Sequence, residues 1–68
     1  MKITINNREV ILDNYETINV KDLLKEMRYT FPMIVVKING DLVRKKDYET
    51  TFVKDGDNVS AIHLISGG

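Results

Sequence analysis

Apolar and polar residues alternate from the start of the chain. Ile3 and Ile5 fall on one side of residues 2–6, and a second short apolar run occupies residues 9–12. Asparagine tolerates positive φ angles, so the segment Asn6-Asn7-Arg8 between the two runs predicts a tight turn. The pattern therefore predicts a β-hairpin, which is followed by a polar, loop-like stretch over residues 13–17.

The spacing of apolar residues becomes helical after residue 19. Asn19 is a favourable N-cap, and Asp22 lies in the first turn, where a negative charge is stabilising. Because proline disfavours helical geometry at the residue before it, Pro32 predicts that the helix ends by about residue 30. The apolar face of this helix has the spacing i, i+3, i+4 and i+7, and its members are Val20, Leu23, Leu24 and Met27.

A second hairpin is predicted after the helix. Residues 34–38 are mostly β-branched, and the Asn39-Gly40 pair that follows is a strong signal for a two-residue turn. Residues 41–43 then form the return strand.

The last third of the chain predicts an irregular stretch and one more strand. Residues 44–54 are charged, and we expect Tyr48 and Phe52 to pack this segment against the body. The triplet Asp55-Gly56-Asp57 predicts a turn rather than a calcium loop, because the remaining ligands of such a loop are missing. The final strand is expected to begin at about Asn58.

This order of elements predicts an α+β fold. A helix between two strand pairs is long enough to cross one face of a mixed sheet, and the last strand commonly lies centrally, beside the first. We therefore expect a β-grasp (ubiquitin-like) fold, with a mixed four- to five-stranded sheet and one main helix packed on one face. Residues 1–65 would form this domain, and residues 66–68 a flexible C-terminal tail.

Composition narrows the functional classes. A chain of 68 residues can bury only a small core, which argues against an enzyme with its own enclosed site. Ten basic and ten acidic residues cancel, which argues against a nucleic-acid or membrane-surface binder. The chain has no cysteine and no long apolar span, so we expect a cytoplasmic protein. We also expect a monomer when the protein is free.

The sequence Ser66-Gly67-Gly68 provides the main chemical candidate. Glycine has no Cβ, so such an arm can enter a channel too narrow for side chains. Extended, residues 65–68 would span roughly 13 Å. We therefore predict that the Gly68 carboxylate is the reactive group and that Gly67 and Ser66 allow threading; the alternative is an idle, frayed tail.

A docking patch is predicted near the end of the last strand. If Val59 and Ala61 face the core, Ile62 and Leu64 face the other way. Apolar residues on both faces indicate a partner-docking surface, unless residues 44–54 cover it. Ile65 and Val43 would complete this patch.

Two further features have bland interpretations. His63 has no catalytic companion and is expected to be a packed or surface histidine. The basic run Arg44-Lys45-Lys46, taken together with Lys54, indicates either a solvated surface or a patch that steers an acidic partner.

With these elements in place, the chain resembles the small sulfur-carrier proteins of the ThiS/MoaD family. The most specific feature is Gly56-Asp57 at a fixed distance before a terminal Gly-Gly. The thiamine type (ThiS) is favoured because residues 61–65 contain no proline and the chain is short. Arg44 and Tyr48 stand where that type frequently has proline and tryptophan. The other matching segments are residues 19–24, 36–40, 42–43, 58–59 and 62–66.

The resemblance implies a carrier with no catalytic residue, no metal and no permanently bound cofactor. A separate E1-like adenylating enzyme would use ATP to activate Gly68, and a persulfide sulfur donor would then convert it to a thiocarboxylate for thiazole synthase. The resemblance leaves open the molybdopterin synthase small subunit and a ubiquitin-like protein modifier joined through Gly68 to lysines. A plain interaction domain also remains open.

Overall fold

Residues 1–29 and 33–64 are described in a computed structural model of the chain. This part contains seven strands, one α-helix and one 3-10 helix. In chain order they are β1 (Lys2–Ile5), β2 (Arg8–Ile11), β3 (Thr17–Asn19), α1 (Val20–Glu26), β4 (Ile34–Ile38), β5 (Asp41–Val43), the 3-10 helix (Lys45–Asp47), β6 (Phe52–Lys54) and β7 (Asn58–His63).

The main sheet is mixed and has its last strand in the middle. Its order is β2-β1-β7-β4-β5. Strand β7 runs parallel to β1 and antiparallel to β4, so it is bonded on both sides. This arrangement confirms the predicted β-grasp fold and the central position of the final strand.

Both predicted hairpins form around asparagine. Asn6 and Asn7 have φ angles of 50° and 67°, and Asn39 and Gly40 have φ angles of 51° and 88°. Two successive residues with positive φ match the twist of the adjoining strands, which is why asparagine and glycine are selected here. Arg8, predicted in the first turn, instead pairs with Ile5 as the first residue of β2.

The helix begins and ends on identifiable caps. The Asn19 side chain accepts a hydrogen bond from the Asp22 backbone N–H at 2.7 Å, which confirms the predicted N-cap. At the other end, Arg28 has a φ of 58°, and the Tyr29 N–H donates to the Leu24 carbonyl at 2.8 Å. This is a Schellman motif with arginine in the position that glycine usually occupies. The helix thus ends before residue 30, through the conformation of Arg28; Pro32, from which the end was predicted, lies outside the described residues.

A second, small sheet forms from residues that were not predicted as strands. Residues 17–19 and 52–54 pair antiparallel as β3 and β6, and Ile18 and Val53 at its centre are buried. Three-residue strands are too short to show a period of two, so the sequence pattern did not reveal them.

The residues expected to hold down segment 44–54 behave differently from each other. Tyr48 is half-buried and packs against the core, as predicted. Phe52 is 57% exposed, so the prediction that it packs inward is wrong. Its neighbour Val53 takes the inward position, because successive side chains of β6 point to opposite faces.

One apolar cluster lies between the helix and the two sheets. Asp57 is the buried polar residue in the described part of the chain. Its carboxylate accepts hydrogen bonds from the Lys54 N–H and the Asn39 side-chain amide, each at 3.0 Å, so its burial is compensated. The cluster consists of Ile3, Ile5, Ile18, Val20, Leu23, Leu24, Val36, Val43, Val53, Val59 and Ala61.

Candidate functional site

Strand β7 lies at the centre of the sheet and directly precedes the last residues of the sequence. It pairs with β4 from Ile38↔Val59 to Ile34↔His63. One residue later, the Leu64 N–H still donates to the Met33 carbonyl at 3.0 Å. The backbone is therefore hydrogen-bonded to the body up to residue 64.

Asparagine side chains fix β7 at two further points. The Asn6 amide donates to the Ala61 carbonyl at 3.0 Å and accepts from the Ala61 N–H at 2.9 Å. The Asn39 side chain accepts from the Asn58 N–H at 2.9 Å. The turns of both hairpins are thus attached to the strand between them.

The predicted reactive and threading residues lie outside the described part of the chain. These are Gly68, Gly67 and Ser66, together with Ile65 of the predicted docking patch. Their roles stay predictions.

Ile62 lies on the open face of the main sheet. Its neighbour Ala61 is buried opposite Val36, so Ile62 and its partner Val35 face away from the core. The predicted orientation of Val59 and Ala61 towards the core is confirmed. Strand periodicity also places Val35 beside Ile62, a neighbour that the sequence analysis did not include.

Leu64 is 45% exposed, as the alternation predicted, but it lies in a different setting from Ile62. It lines a shallow depression of about 410 Å³ that does not include Ile62. We refer to it as the Leu64 depression. Its lining residues are Met33, Ile34, Val43, Arg44, Lys45, Tyr48 and Leu64.

Val43 is a core residue rather than an open docking residue. It is 8% exposed and lies opposite the fully buried Val36. The prediction that it forms part of an exposed patch is therefore corrected, because β5 turns this side chain inward. Its small accessible surface does line the Leu64 depression, so it lies beside Leu64.

The predicted basic patch is divided by the fold. Arg44 and Lys45 line the Leu64 depression, whereas Lys54 lines a separate groove with Asp41 and Asp47. Lys54 therefore does not belong with the basic run. The reason is that Lys54 lies in β6, which the sequence pattern did not reveal.

Tyr48 connects the Leu64 depression to a second one. It also lines a depression of about 420 Å³ together with Lys21, Lys45, Lys46 and Glu49. Burial raises the pKa of Tyr48, so its hydroxyl is protonated at neutral pH.

Two of the charged groups around Tyr48 are paired with each other. The Lys21 ammonium donates to the Glu49 carboxylate at 2.9 Å. This hydrogen bond raises the pKa of Lys21 and lowers the pKa of Glu49, so both groups are charged at neutral pH.

Metal chemistry has no candidate among residues 1–29 and 33–64. No group of three or more His, Asp or Glu side chains there is placed to hold a metal ion. His63 is an exposed residue at the end of β7. Within the same residues, no helix has the length and apolar character needed to cross a membrane.

Met33 is an exposed residue beside Leu64 that the sequence analysis did not consider. It is 55% exposed and lines the Leu64 depression, where its carbonyl also bonds Leu64. Its position next to Pro32, ahead of the β-branched run, carried no periodic signal. Only the pairing of β4 with β7 brings it next to residue 64.

The family model and the similar solved structures agree on one family. The sequence model of the ThiS family matches residues 2–68. The crystal structure of the thiamine biosynthesis protein ThiS from Geobacter metallireducens is similar with a TM-score of 0.90 and 30% sequence identity, covering 100% of both chains. A solution structure of a thiamine biosynthesis protein from the same organism has a TM-score of 0.80 and 30% identity, covering 100% of this chain and 88% of that one. The uncharacterized protein ycf40 from Trieres chinensis is 28% identical over 64 residues, which are 94% of this chain and 85% of that protein.

Proposed function

Because the chain belongs to the ThiS family of sulfur carriers, we propose that it supplies sulfur for the thiazole of thiamine through its Gly68 carboxylate. An E1-like enzyme adenylates this carboxylate with ATP, and a persulfide donor converts it to a thiocarboxylate. Thiazole synthase then takes up the sulfur.

The observation that carries this proposal is the placement of β7. The strand is hydrogen-bonded to β1 on one side and to β4 on the other, and Asn6 ties Ala61 in addition. Four residues follow Leu64 in the sequence. A partner that grips the body therefore holds the start of this short segment in a defined place, and this turns an encounter with the carboxylate into an effectively intramolecular step.

The proposed chemistry places every catalytic group on the partners. A carboxylate is a poor electrophile, so one of its oxygens first attacks the α-phosphorus of ATP, which releases pyrophosphate and leaves an acyl-adenylate. The terminal sulfur of the persulfide then attacks the acyl carbon and AMP departs. A thiol of the donor system cleaves the resulting acyl disulfide, which releases the thiocarboxylate and leaves a disulfide on the donor. The chain has no cysteine, so these thiols belong to the partners.

Docking would use apolar residues that border this segment and have accessible surface. Ile62 with Val35 offers a surface on the open sheet face, and Leu64 offers one in its depression. Ile65 is the next residue in the sequence and is included in the proposed contact.

Intact mass spectrometry tests the carrier function. The full chain is incubated with its cognate adenylating enzyme, ATP and a persulfide donor. We expect a mass gain equal to the exchange of one oxygen for one sulfur at the C-terminal residue. Ladders of conjugates would instead indicate a protein modifier, and an unchanged mass would contradict both functions.

Two variants of the tail test the proposed roles of Gly68 and Gly67. In the first variant, one residue is appended after Gly68, so that Gly68 no longer carries the free carboxylate. The second variant, Gly67→Val, adds a β-branched side chain to the threading segment. We expect both variants to fold normally and to lose ATP–pyrophosphate exchange. Exchange of the appended chain at the wild-type rate would count against the proposal.

The pathway requires a second assay with the product of the first. The purified thiocarboxylate is offered separately to thiazole synthase and to the large subunit of molybdopterin synthase. We expect sulfur transfer with the first enzyme. Transfer only with the second would assign the chain to molybdenum cofactor synthesis.

A further inference from the structure

We propose that the Leu64 depression receives an acidic segment of the adenylating enzyme, in which one apolar side chain is flanked by Asp or Glu. This inference rests on the proposed function, since it specifies which chemistry the activating partner presents to the carrier. It concerns the body of the carrier and not its reactive end.

The depression has room for an apolar side chain of a partner. Its volume of about 410 Å³ is in the range of small binding pockets. Met33 and Leu64 are about half exposed at its border, and Ile34, Val43 and Tyr48 line it with mostly buried surface. An apolar group placed here would remove both exposed side chains from water, which is how anchoring residues stabilise interfaces.

The charged residues in the described lining of the depression have one sign. Arg44 and Lys45 carry a full positive charge, and no carboxylate of residues 1–29 or 33–64 lines the depression. The adjoining depression adds Lys46, and the carboxylate in its described lining, that of Glu49, is already bonded to Lys21 at 2.9 Å. Since the whole chain has a net charge of zero, this is a local excess of positive charge.

Neither ion pair in the described part of the chain uses these cations. The two pairs are Lys2 with Glu9 and Lys21 with Glu49. Arg44, Lys45 and Lys46 are therefore available for carboxylates of a partner, and a nearby charge cluster of one sign selects a partner of the other sign.

A second groove nearby does not share the purely positive lining of the Leu64 depression. A groove of about 360 Å³ is also lined by Val43, with the exposed Leu42 and Phe52 and with carboxylates of Asp41 and Asp47. The two depressions thus share one core valine and differ in their charged lining: the groove has Lys54 beside three aspartates, whereas the described charged lining of the Leu64 depression is Arg44 and Lys45. The basic one contains Leu64, so it is the one that faces an enzyme acting on the residues that follow.

Steady-state ATP–pyrophosphate exchange with the cognate adenylating enzyme tests the proposal. For Arg44→Glu/Lys45→Glu we expect the KM for the carrier to rise roughly tenfold or more at low salt, while kcat is unchanged because the reactive end is untouched. The KM of the wild-type chain should also rise with ionic strength, and that of the variant much less.

The matched control is Arg8→Glu/Lys54→Glu. It makes the same change in net charge at two exposed positions, neither of which lines the Leu64 depression or its neighbour. We expect its KM to stay within about threefold of wild type. Leu64→Ser is the apolar counterpart, and its KM should rise while the dependence on ionic strength remains. Thermal unfolding by circular dichroism verifies that each variant is folded.

Three results would overturn the inference. One is an unchanged KM for Arg44→Glu/Lys45→Glu. Another is an equal rise in KM for the control variant, because the effect would then come from net charge and not from the depression. The third is a lowered KM, which would mean that the carrier's own end segment occupies the depression. If the wild-type chain supports no exchange at any concentration, the proposed function fails and this inference fails with it.

Discussion

At the scale of single residues, asparagine has two structural roles in this molecule. Asn6 and Asn39 adopt positive φ angles in the two hairpin turns. Their side chains also bond β7, at Ala61 and at Asn58. A side-chain amide carries both donor and acceptor, and asparagine tolerates the left-handed conformation better than most residues. The same side chain therefore completes the turn and attaches the final strand.

Substitution of the two neighbouring turn residues by glycine separates these roles. Asn6→Gly keeps access to positive φ but deletes both hydrogen bonds to Ala61, so we expect a loss of about 1–2 kcal/mol in the free energy of unfolding. Asn7→Gly relieves the same kind of backbone strain, and we expect a change between zero and a gain of about 1 kcal/mol. Urea denaturation followed by circular dichroism measures both. Equal stability of the two variants would show that the contact with Ala61 contributes nothing.

At the scale of elements, the end of the helix is where sequence and conformation disagree most. Arg28 occupies the left-handed position of the Schellman motif, where a side chain with Cβ is strained and glycine is not. The Arg28 side chain is exposed. This residue therefore lowers the stability of the helix terminus.

Arg28→Gly should stabilise the protein. Removing the strain at this position gives an expected gain of about 0.5–1 kcal/mol, which corresponds to a rise of roughly 2–8 °C in Tm for a domain of this size. Arg28→Ala is the control, because it removes the same charge and keeps the Cβ; its Tm should stay near that of wild type. Thermal unfolding monitored by circular dichroism measures the Tm of both variants. A lower Tm for the glycine variant would contradict the assignment of strain.

Elements with strong local signals were predictable from the sequence, and elements made by tertiary pairing were not. The Asn39-Gly40 turn and the Asn19 cap each depend on a few adjacent residues, and both formed as predicted. Strands β3 and β6 have three residues each, and they exist because Ile18 and Val53 are buried against the core.

The candidate site was also predictable only where the signal was local. The period of two in the last strand correctly predicted that Ile62 and Leu64 are exposed. It did not show that Val43 turns inward or that Leu64 and Ile62 lie in separate surroundings. Those facts depend on β5 and on the segment after it, where the sequence has no regular pattern.

At the scale of the whole molecule, the main sheet is held together by one strand. Strands β1 and β2 form one hairpin and β4 and β5 another, and β7 joins them. Neither hairpin pairs with the other directly. Loss of β7 would therefore divide the sheet into two ribbons, and two-stranded ribbons are at best marginally stable in water.

Hydrogen exchange measures this dependence. The amides of β7 should exchange only through global unfolding, so the opening free energy at Ala61 should equal the free energy of unfolding from urea denaturation. Amides of the edge strand β2 should exchange faster, through local fraying. Native-state exchange followed by NMR provides both values, and an opening free energy at Ala61 well below the global one would contradict the role given to β7.

The central position of β7 also makes the main sheet depend on long-range pairing. Each hairpin joins residues that are close in sequence, whereas the pairing of Thr4 with Asn58 spans most of the chain, and such long-range closure is slow. The complete five-stranded sheet therefore exists only once β7 is paired with both hairpins. If an activating enzyme recognises the folded body, as the proposed function requires, it would act on chains in which β7, the strand that leads to Gly68, is already paired with both hairpins.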